Sequence, residues 1–161
     1  MLRWLPLLFL LTTGASRGAI VYAGGSWAAL DRGSQCEALS RSVKIAAKDK
    51  VQAIAGFTFT ADRKHWGEFH ARLSRTPRAN ASVMLRVDAQ PFLLVARGND
   101  AWSTGPLQDQ AIIAAIRDGG WITIESRDGA GGRFSDPYSS DGAATAIDAA
   151  AARCAGKMQP H

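Results

Sequence analysis

Few residues of this chain have the types and the spacing along the sequence that a catalytic site requires. Ser26 follows two glycines, but the G-x-S-x-G pattern of a nucleophile elbow lacks its final glycine here. His65 and His70 are five residues apart, which separates them on a helix and places them on opposite faces of a regular strand. We therefore expect no shared metal site, and we expect His70 to be a surface histidine beside Glu68.

Other active-site patterns are also missing from the sequence, namely paired carboxylates, phosphate-binding glycine loops and dinucleotide fingerprints. The glycine-rich residues 129–132 lie between two β-like segments, so we expect a turn there. We predict a protein that is not an enzyme and that holds no metal and no cofactor. A hydrolase with an unrecognised site is an alternative from a different class.

The N-terminal residues 1–15 have the order of a secretory signal peptide. Arg3 supplies the positive start, residues 4–11 supply a short apolar run, and small residues follow. The apolar run is shorter than the roughly 20 residues that span a bilayer, so it does not predict a membrane-spanning helix. A buried N-terminal strand or helix is the alternative interpretation.

Signal cleavage is expected after Ala15, with Ala23 as a possible later site. The first site leaves residues 16–161, a length typical of one domain with its own hydrophobic core. We therefore predict an exported protein, periplasmic or secreted, that has a single β-rich domain and no transmembrane helix after signal cleavage.

The two cysteines, Cys36 and Cys154, allow only one disulfide pairing. An even number of cysteines in an exported chain is typical of a structural disulfide, and this one would enclose most of the domain. Two buried free thiols are the alternative. A metal site or redox catalysis is disfavoured, because neither cysteine belongs to a C-x-x-C motif or a Cys-His cluster.

Charge is distributed unevenly along the chain. Residues 41–78 contain nine Lys or Arg against three acidic residues, whereas residues 79–161 contain seven against nine. A cationic region of this kind predicts an anionic partner, such as a lipid headgroup, an acidic glycan or an acidic protein face. Nucleic acid is unlikely as a partner of an exported chain. The alternative is a solvated basic surface that only maintains solubility.

The predicted binding face lies inside this basic region and combines cations with one indole. It consists of Arg63, Lys64, Trp66, Arg72, Arg75 and Arg78. Trp66 is of interest because basic residues flank it in an expected loop. Four tryptophans allow two interpretations, either core side chains or a stacking platform for a sugar or peptide. They are Trp27, Trp66, Trp102 and Trp121.

Period-two alternation of apolar and polar residues dominates the chain and predicts half-buried β-strands. The expected strands cover residues 26–30, 36–43, 51–60, 69–73, 83–87, 91–96 and 121–126. The predicted fold class is mainly β (α+β), an antiparallel β-sandwich or partly open barrel with one short helix and a C-terminal helix.

The short helix is expected over residues 109–117, where three isoleucines form an apolar stripe and Gly119 can end the helix. The C-terminal helix is expected over residues 142–155, with Ser140 or Asp141 as its N-cap. Ile147 and Cys154 are seven residues apart in it and therefore share a face. That placement directs Cys154 towards the sheet and supports a bridge to Cys36.

The order of these segments resembles the invasion-associated locus B family of exported bacterial proteins. The similar segments are SWAALDRGSQCEALSRS near the start of the domain, AIIAAIRDGG, WITIES and the closing helix SSDGAATAIDAAAARC. The resemblance covers residues 26–154. It implies a small periplasmic or surface-associated β protein, in a family named for host-cell invasion, without a defined catalytic site.

These observations predict an exported cell-envelope protein that binds an anionic envelope component or a protein through residues 41–78. An inhibitor or chaperone-like accessory of a periplasmic enzyme is the main alternative. In that case the expected loop at residues 60–67 would enter the partner enzyme.

Overall fold

The structure is a computed structural model that describes residues 18–157; the expected signal peptide lies outside these described residues. The described chain contains ten strands and two helices. The strands are β1 (Ala19–Gly24), β2 (Trp27–Asp31), β3 (Gln35–Arg41), β4 (Ile54–Thr60), β5 (Trp66–Arg72), β6 (Val83–Val87), β7 (Gln90–Arg97), β8 (Asp100–Trp102), β9 (Trp121–Arg127) and β10 (Arg133–Ser139). The helices are α1 (Pro106–Arg117) and α2 (Ala143–Ala155).

All ten strands join one sheet in the order β1-β2-β3-β4-β5-β8-β7-β6-β9-β10, and every neighbouring pair is antiparallel. The sheet is curled, so that its last strand, β10, forms hydrogen bonds with the chain that follows β3. The carbonyl oxygen of Pro137 in β10 accepts hydrogen bonds from the Val43 N–H and the Ser42 hydroxyl, both at 2.9 Å. The predicted mainly β class with two helices is confirmed.

The hydrophobic core lies between the inward face of the curled sheet and the two helices. α2 contacts β1 to β5, and α1 contacts β5, β6 and β7. Phe57 and Phe69 are fully buried and pack edge to face, with ring centroids 5.4 Å apart. Ile112 and Ile116 of α1 are buried as well, so the isoleucine stripe faces the core as its spacing predicts.

The predicted bridge between Cys36 and Cys154 is present, and it fastens α2 to β3. The buried face of α2 consists of Ala143, Ala146, Ile147, Ala150 and Cys154. Ile147 and Cys154 therefore share the face that their spacing predicts. Alanine predominates on this face, so the helix backbone can approach the strands closely and bring the two cysteine Cα atoms within 5.8 Å.

An ion cluster on Asp31 lies beside the disulfide, since Asp31 of β2 is paired with Cys36 in the sheet register. The Asp31 carboxylate is nearly buried and accepts hydrogen bonds from the Lys157 ammonium and, at 2.6 Å, from Arg153 Nε. These two cations lower the pKa of Asp31 far below its ordinary value of 3.8, and Lys157 has the larger effect. The end of α2 is therefore attached both covalently and electrostatically.

The start of α2 differs from the sequence prediction. Neither Ser140 nor Asp141 caps the helix; the N-cap is Gly142, with φ 85°. A Cβ atom on Gly142 would lie 2.1 Å from the carbonyl oxygen of Gly24, so only glycine fits against the β1–β2 turn. Ser26 is part of the same junction, because its N–H donates to the Asp141 carbonyl at 2.9 Å. Close backbone contact decides this helix start.

Three strands have no counterpart among the residue ranges expected from the sequence, namely β1, β8 and β10; for β10 the sequence indicated only a β-like segment after residue 132. β8 has only three residues, and β10 contains Pro137 and alternating polar residues, so neither gives a strong apolar pattern. β1 overlaps the later of the two expected signal cleavage sites: cleavage after Ala15 would leave the strand whole, whereas cleavage after Ala23 would remove most of it.

Expected boundaries also shifted. The strand predicted at residues 36–43 ends at Arg41. The Ser42 N–H still donates to the Ala53 carbonyl beside β4, but the Ser42 hydroxyl and the Val43 N–H turn to Pro137 of β10. The next strand begins at Ile54, three residues later than predicted, and α1 begins at Pro106, three residues earlier. Gly119 ends α1 as predicted, with φ 91° and its N–H bonded to the Ile116 carbonyl.

We expect the double substitution Cys36→Ser, Cys154→Ser to lower the free energy of unfolding by about 2–5 kcal/mol, because the bridge restricts a long loop of the unfolded chain. Urea denaturation of the mature domain measures the loss. Reducing agent should destabilise the unsubstituted protein and leave the double variant unchanged. Equal stability of the two proteins without reductant would contradict a stabilising role.

Substitution Asp31→Asn should lower the melting temperature at neutral pH, and this difference should shrink as the pH falls below about 4. The folded pKa is depressed, so the carboxylate stabilises the fold above the unfolded pKa and loses this effect as it is protonated. Thermal melts of both proteins from pH 2 to 7 measure the difference. A difference that is constant across this range would show that charge is not the cause.

Candidate functional site

The structure distributes the predicted binding face over three places. Arg75 and Arg78 line a broad cleft, while Arg63, Lys64 and Trp66 line a separate, smaller pocket. Arg72 lies in neither, because it is on the outer face of β5 with its Nε 3.1 Å from an Asp100 carboxylate oxygen. The six residues therefore do not form one continuous surface.

The broad cleft, which we call the cationic cleft, has a volume of about 1350 Å³. It lies between the loop of residues 43–51, the loop of residues 74–82 and the β9–β10 hairpin. Seven cationic residues line it, against three acidic ones. The cations are Lys44, Lys50, Arg75, Arg78, Arg86, Arg127 and Arg133, and the acids are Glu125, Asp128 and Asp136.

Three of these arginines were not among the residues of the basic region predicted from the sequence. Arg86, Arg127 and Arg133 belong to the acidic half of the chain, where no local excess of positive charge exists. They reach the cleft because β6 pairs with β9 and β9 pairs with β10. Only the order of strands in the sheet brings them next to Arg78.

The cations of the cleft fall into paired and unpaired groups. Arg75 lies 2.9 Å from Asp128, and Arg86 lies 3.5 Å from Glu125. Within residues 18–157, no carboxylate is within ion-pair distance of the other five cleft cations, namely Lys44, Lys50, Arg78, Arg127 and Arg133. Arg127 donates to the Gly131 carbonyl at 3.1 Å, which leaves its charge unneutralised. These five provide the uncompensated positive charge.

Two acidic residues order the walls of the cleft. Asp128 accepts hydrogen bonds from the Gly132 N–H at 2.9 Å and the Ala130 N–H at 3.1 Å, which confirms the turn expected there. The Arg75 guanidinium and, to a smaller extent, these turn amides hold the pKa of Asp128 below its ordinary value, although burial acts in the opposite direction. Asp136, fully buried, accepts the Ser74 N–H at 2.9 Å and so fixes the chain after β5.

The smaller pocket, which we call the loop pocket, has a volume of about 530 Å³ and lies beside the exposed loop of residues 61–65. The loop is shorter than the expected residues 60–67, because Thr60 ends β4 and Trp66 begins β5. This loop is internally bonded: the Thr60 hydroxyl donates to Asp62 at 2.6 Å, and Asp62 accepts the Lys64 N–H at 3.1 Å. The guanidinium of Arg63 stacks over the Trp66 ring, 4.8 Å from its centroid. The loop thus has a defined conformation.

Both histidines lie on the outer side of β5, contrary to the sequence expectation of opposite faces. Gly67, with φ 74°, forms a β-bulge and is one extra residue in the strand. The side chains that precede it therefore face the side opposite to the one that regular alternation would give them. His65 Nδ1 lies 2.6 Å from a Glu68 carboxylate oxygen, which raises the pKa of His65. Among residues 18–157, no group of three or more metal-ligating side chains is arranged around an ion site.

His70 is not the solvated histidine that the sequence predicted. It is partly buried on β5, with its Nδ1 3.2 Å from the Thr58 hydroxyl. Burial lowers the pKa of His70, in spite of the nearby carboxylates of Glu37 and Glu68. The imidazole is therefore a neutral hydrogen-bonding group at neutral pH.

The tryptophans divide between core and surface. Trp27 is buried, and its indole N–H donates to the Ser139 carbonyl at 2.8 Å, closing the sheet near β10. Trp66 is half-buried and packs edge to face on Phe59. Trp102 and Trp121 are 36% and 57% exposed. Of these four, Trp66 and Trp102 share the loop pocket.

Comparisons with protein-family models, with curated proteins and with solved structures gave no match to this chain. No helix within residues 18–157 has both the length and the apolar character needed to cross a membrane.

We expect substitution Glu68→Gln to lower the pKa of His65 towards its ordinary value of 6.5, because it removes the negative charge beside Nδ1. NMR titration of the imidazole protons measures the shift. His70 should titrate below His65 in the unsubstituted protein. An unchanged His65 pKa in the variant would show that the Glu68 contact is absent in solution.

Proposed function

We propose that this protein is a non-catalytic binding module of the bacterial cell envelope, which holds an anionic envelope component in its cationic cleft. The observation that carries this proposal is a set of five cleft cations that have no carboxylate partner among the described residues, namely Lys44, Lys50, Arg78, Arg127 and Arg133. Charged groups that converge on one concavity without mutual neutralisation attract anions and gain hydrogen bonds on binding them.

The shape of the cleft supports a ligand that carries several negative groups. Its walls come from three separate chain segments, and the paired residues Arg75 and Asp128 hold two of these walls together. The backbone segments that carry Arg78 and Arg133 are thus held together before a ligand arrives, which reduces the entropy cost of binding. Phosphate groups of a lipid headgroup and acidic groups of an envelope glycan share the required chemistry.

Two further features support location in the envelope. The disulfide between Cys36 and Cys154 is compatible with an oxidising compartment, and the N-terminal residues have the order of a signal peptide. We also propose membership of the invasion-associated locus B family, on the resemblance of the segments from residue 26 to residue 154. In that proposal the protein is exported and is periplasmic or surface-associated.

A second candidate function is that of an inhibitor or accessory that docks on an envelope enzyme. The observation in its favour is the internally bonded loop of residues 61–65, whose exposed Arg63 stacks on Trp66 at the start of β5. A preordered loop inserts into a partner at a smaller entropy cost than a flexible one. This candidate predicts a stoichiometric protein complex that depends on Trp66.

The test of the cleft uses a matched pair of double variants. Arg78→Ser, Arg133→Ser removes two unpaired cleft cations, and Arg63→Ser, Lys64→Ser removes the same charge from the loop pocket. Titration calorimetry with inositol hexakisphosphate and with oligogalacturonate measures binding of a phosphorylated and a carboxylated probe. The cleft variant should lose about tenfold or more in affinity for the probe that binds, since charge-assisted hydrogen bonds contribute about 1.5–3 kcal/mol each.

The loop variant should keep its affinity within about twofold, and binding to the unsubstituted protein should weaken steeply with added salt. Equal losses in the two variants would show that only net charge matters. Failure of both probes to bind the unsubstituted protein would make the cleft a solvated surface and end the proposal.

A further inference from the structure

The loop of residues 43–51, which forms one wall of the cationic cleft, carries both exposed apolar side chains and exposed lysines. Val43, Ile45 and Val51 are 46%, 81% and 41% exposed. Its cations are Lys44, Lys48 and Lys50, all exposed, and its one acid is Asp49. Single exposed apolar residues are ordinary, but three on one short loop among lysines form an amphipathic surface.

This loop is held in place by hydrogen bonds at its base. The side-chain oxygen of Gln52 accepts the Ala46 N–H at 2.9 Å, and its amide nitrogen donates to the Ser42 carbonyl at 3.2 Å. Ser42 in turn donates to Pro137 of β10 at 2.9 Å. The exposure of Ile45 is therefore a consequence of a fixed backbone that directs this side chain away from the core.

The loop and the cleft form one continuous surface, since Lys44, Ile45 and Lys50 line the cleft together with Arg78 and Arg133. A free glycan would use the cations alone and leave the apolar side chains in water. The surface of an anionic bilayer offers both contacts, because its phosphates lie directly above hydrocarbon. Apolar side chains flanked by lysines fit this boundary, because the apolar side chains can enter the hydrocarbon while the lysines stay among the phosphates.

We propose that the partner of the cleft is the surface of an anionic lipid bilayer, into which the loop of residues 43–51 inserts Ile45 while the cleft holds lipid phosphate. The inference rests on the proposed function, since it names the anionic component as lipid. The lysines of the loop stay at headgroup level, and Arg78 and Arg133 bind phosphates beside the insertion point.

The test is co-sedimentation with vesicles of phosphatidylglycerol and, separately, of phosphatidylcholine. The unsubstituted protein should bind the first and not the second. Ile45→Ser should reduce binding by about tenfold or more, the effect expected when one isoleucine side chain no longer leaves water. Leu107→Ser is the matched control, because Leu107 is 84% exposed on α1 and lines neither the cleft nor the loop pocket; it should bind as the unsubstituted protein does.

Titration with inositol hexakisphosphate separates this inference from the proposed function. Ile45→Ser should bind that soluble probe normally, because the cleft cations are unchanged. Normal vesicle binding by Ile45→Ser would overturn the insertion, while probe binding would still support the cleft. A loss of vesicle binding in Leu93→Ser, Val95→Ser instead would also overturn it, since those exposed residues belong to β7. Failure of both vesicles and probe would end both proposals.

Discussion

The attachment of α2 to the first strands of the sheet is the constraint on which the rest of the structure depends. A disulfide joins Cys154 to β3, and the Asp31 carboxylate holds Arg153 and Lys157 at the same end of the helix. An alanine-rich face allows the close approach that these bonds require. A chain segment 118 residues from its covalent partner thereby covers the inward face of β1 to β5.

The other end of α2 connects this attachment to the curl of the sheet. Gly142 touches the β1–β2 turn, and the residues just before it continue into β10, whose carbonyl oxygens bond to Trp27 and to the chain after β3. β10 is therefore drawn towards the early strands while it remains paired with β9. The loop of residues 43–51 and the β9–β10 hairpin become neighbours as a result, and the cationic cleft opens between them.

The cations of the cleft are of two kinds, those paired with a carboxylate and those without a carboxylate partner among the described residues. Arg75 and Arg86 are matched by Asp128 and Glu125, and the first of these pairs also orders the turn between β9 and β10. Such exposed pairs contribute little to stability, so their effect is mainly geometric. Arg78 and Arg133 have no such partner within the described chain, so their positive charge is uncompensated. Arg72, on the outer face of β5, differs from these two arginines because it is paired with Asp100.

The sequence by itself determined the features that depend on local pattern. Alternation of apolar residues located seven of the ten strands, the isoleucine stripe located α1, and the seven-residue spacing placed Ile147 and Cys154 on one face of α2. Two cysteines allowed one pairing only. Tertiary contacts decided what has no local pattern: the short β8, the polar β10, the glycine N-cap of α2, and the bulge that puts His65 and His70 on one side of β5. They also decided the site, because neighbours in a sheet are set by strand order. Arg78 and Arg133, 55 residues apart in the sequence, line one cleft, whereas Arg72 and Arg75 lie on different surfaces.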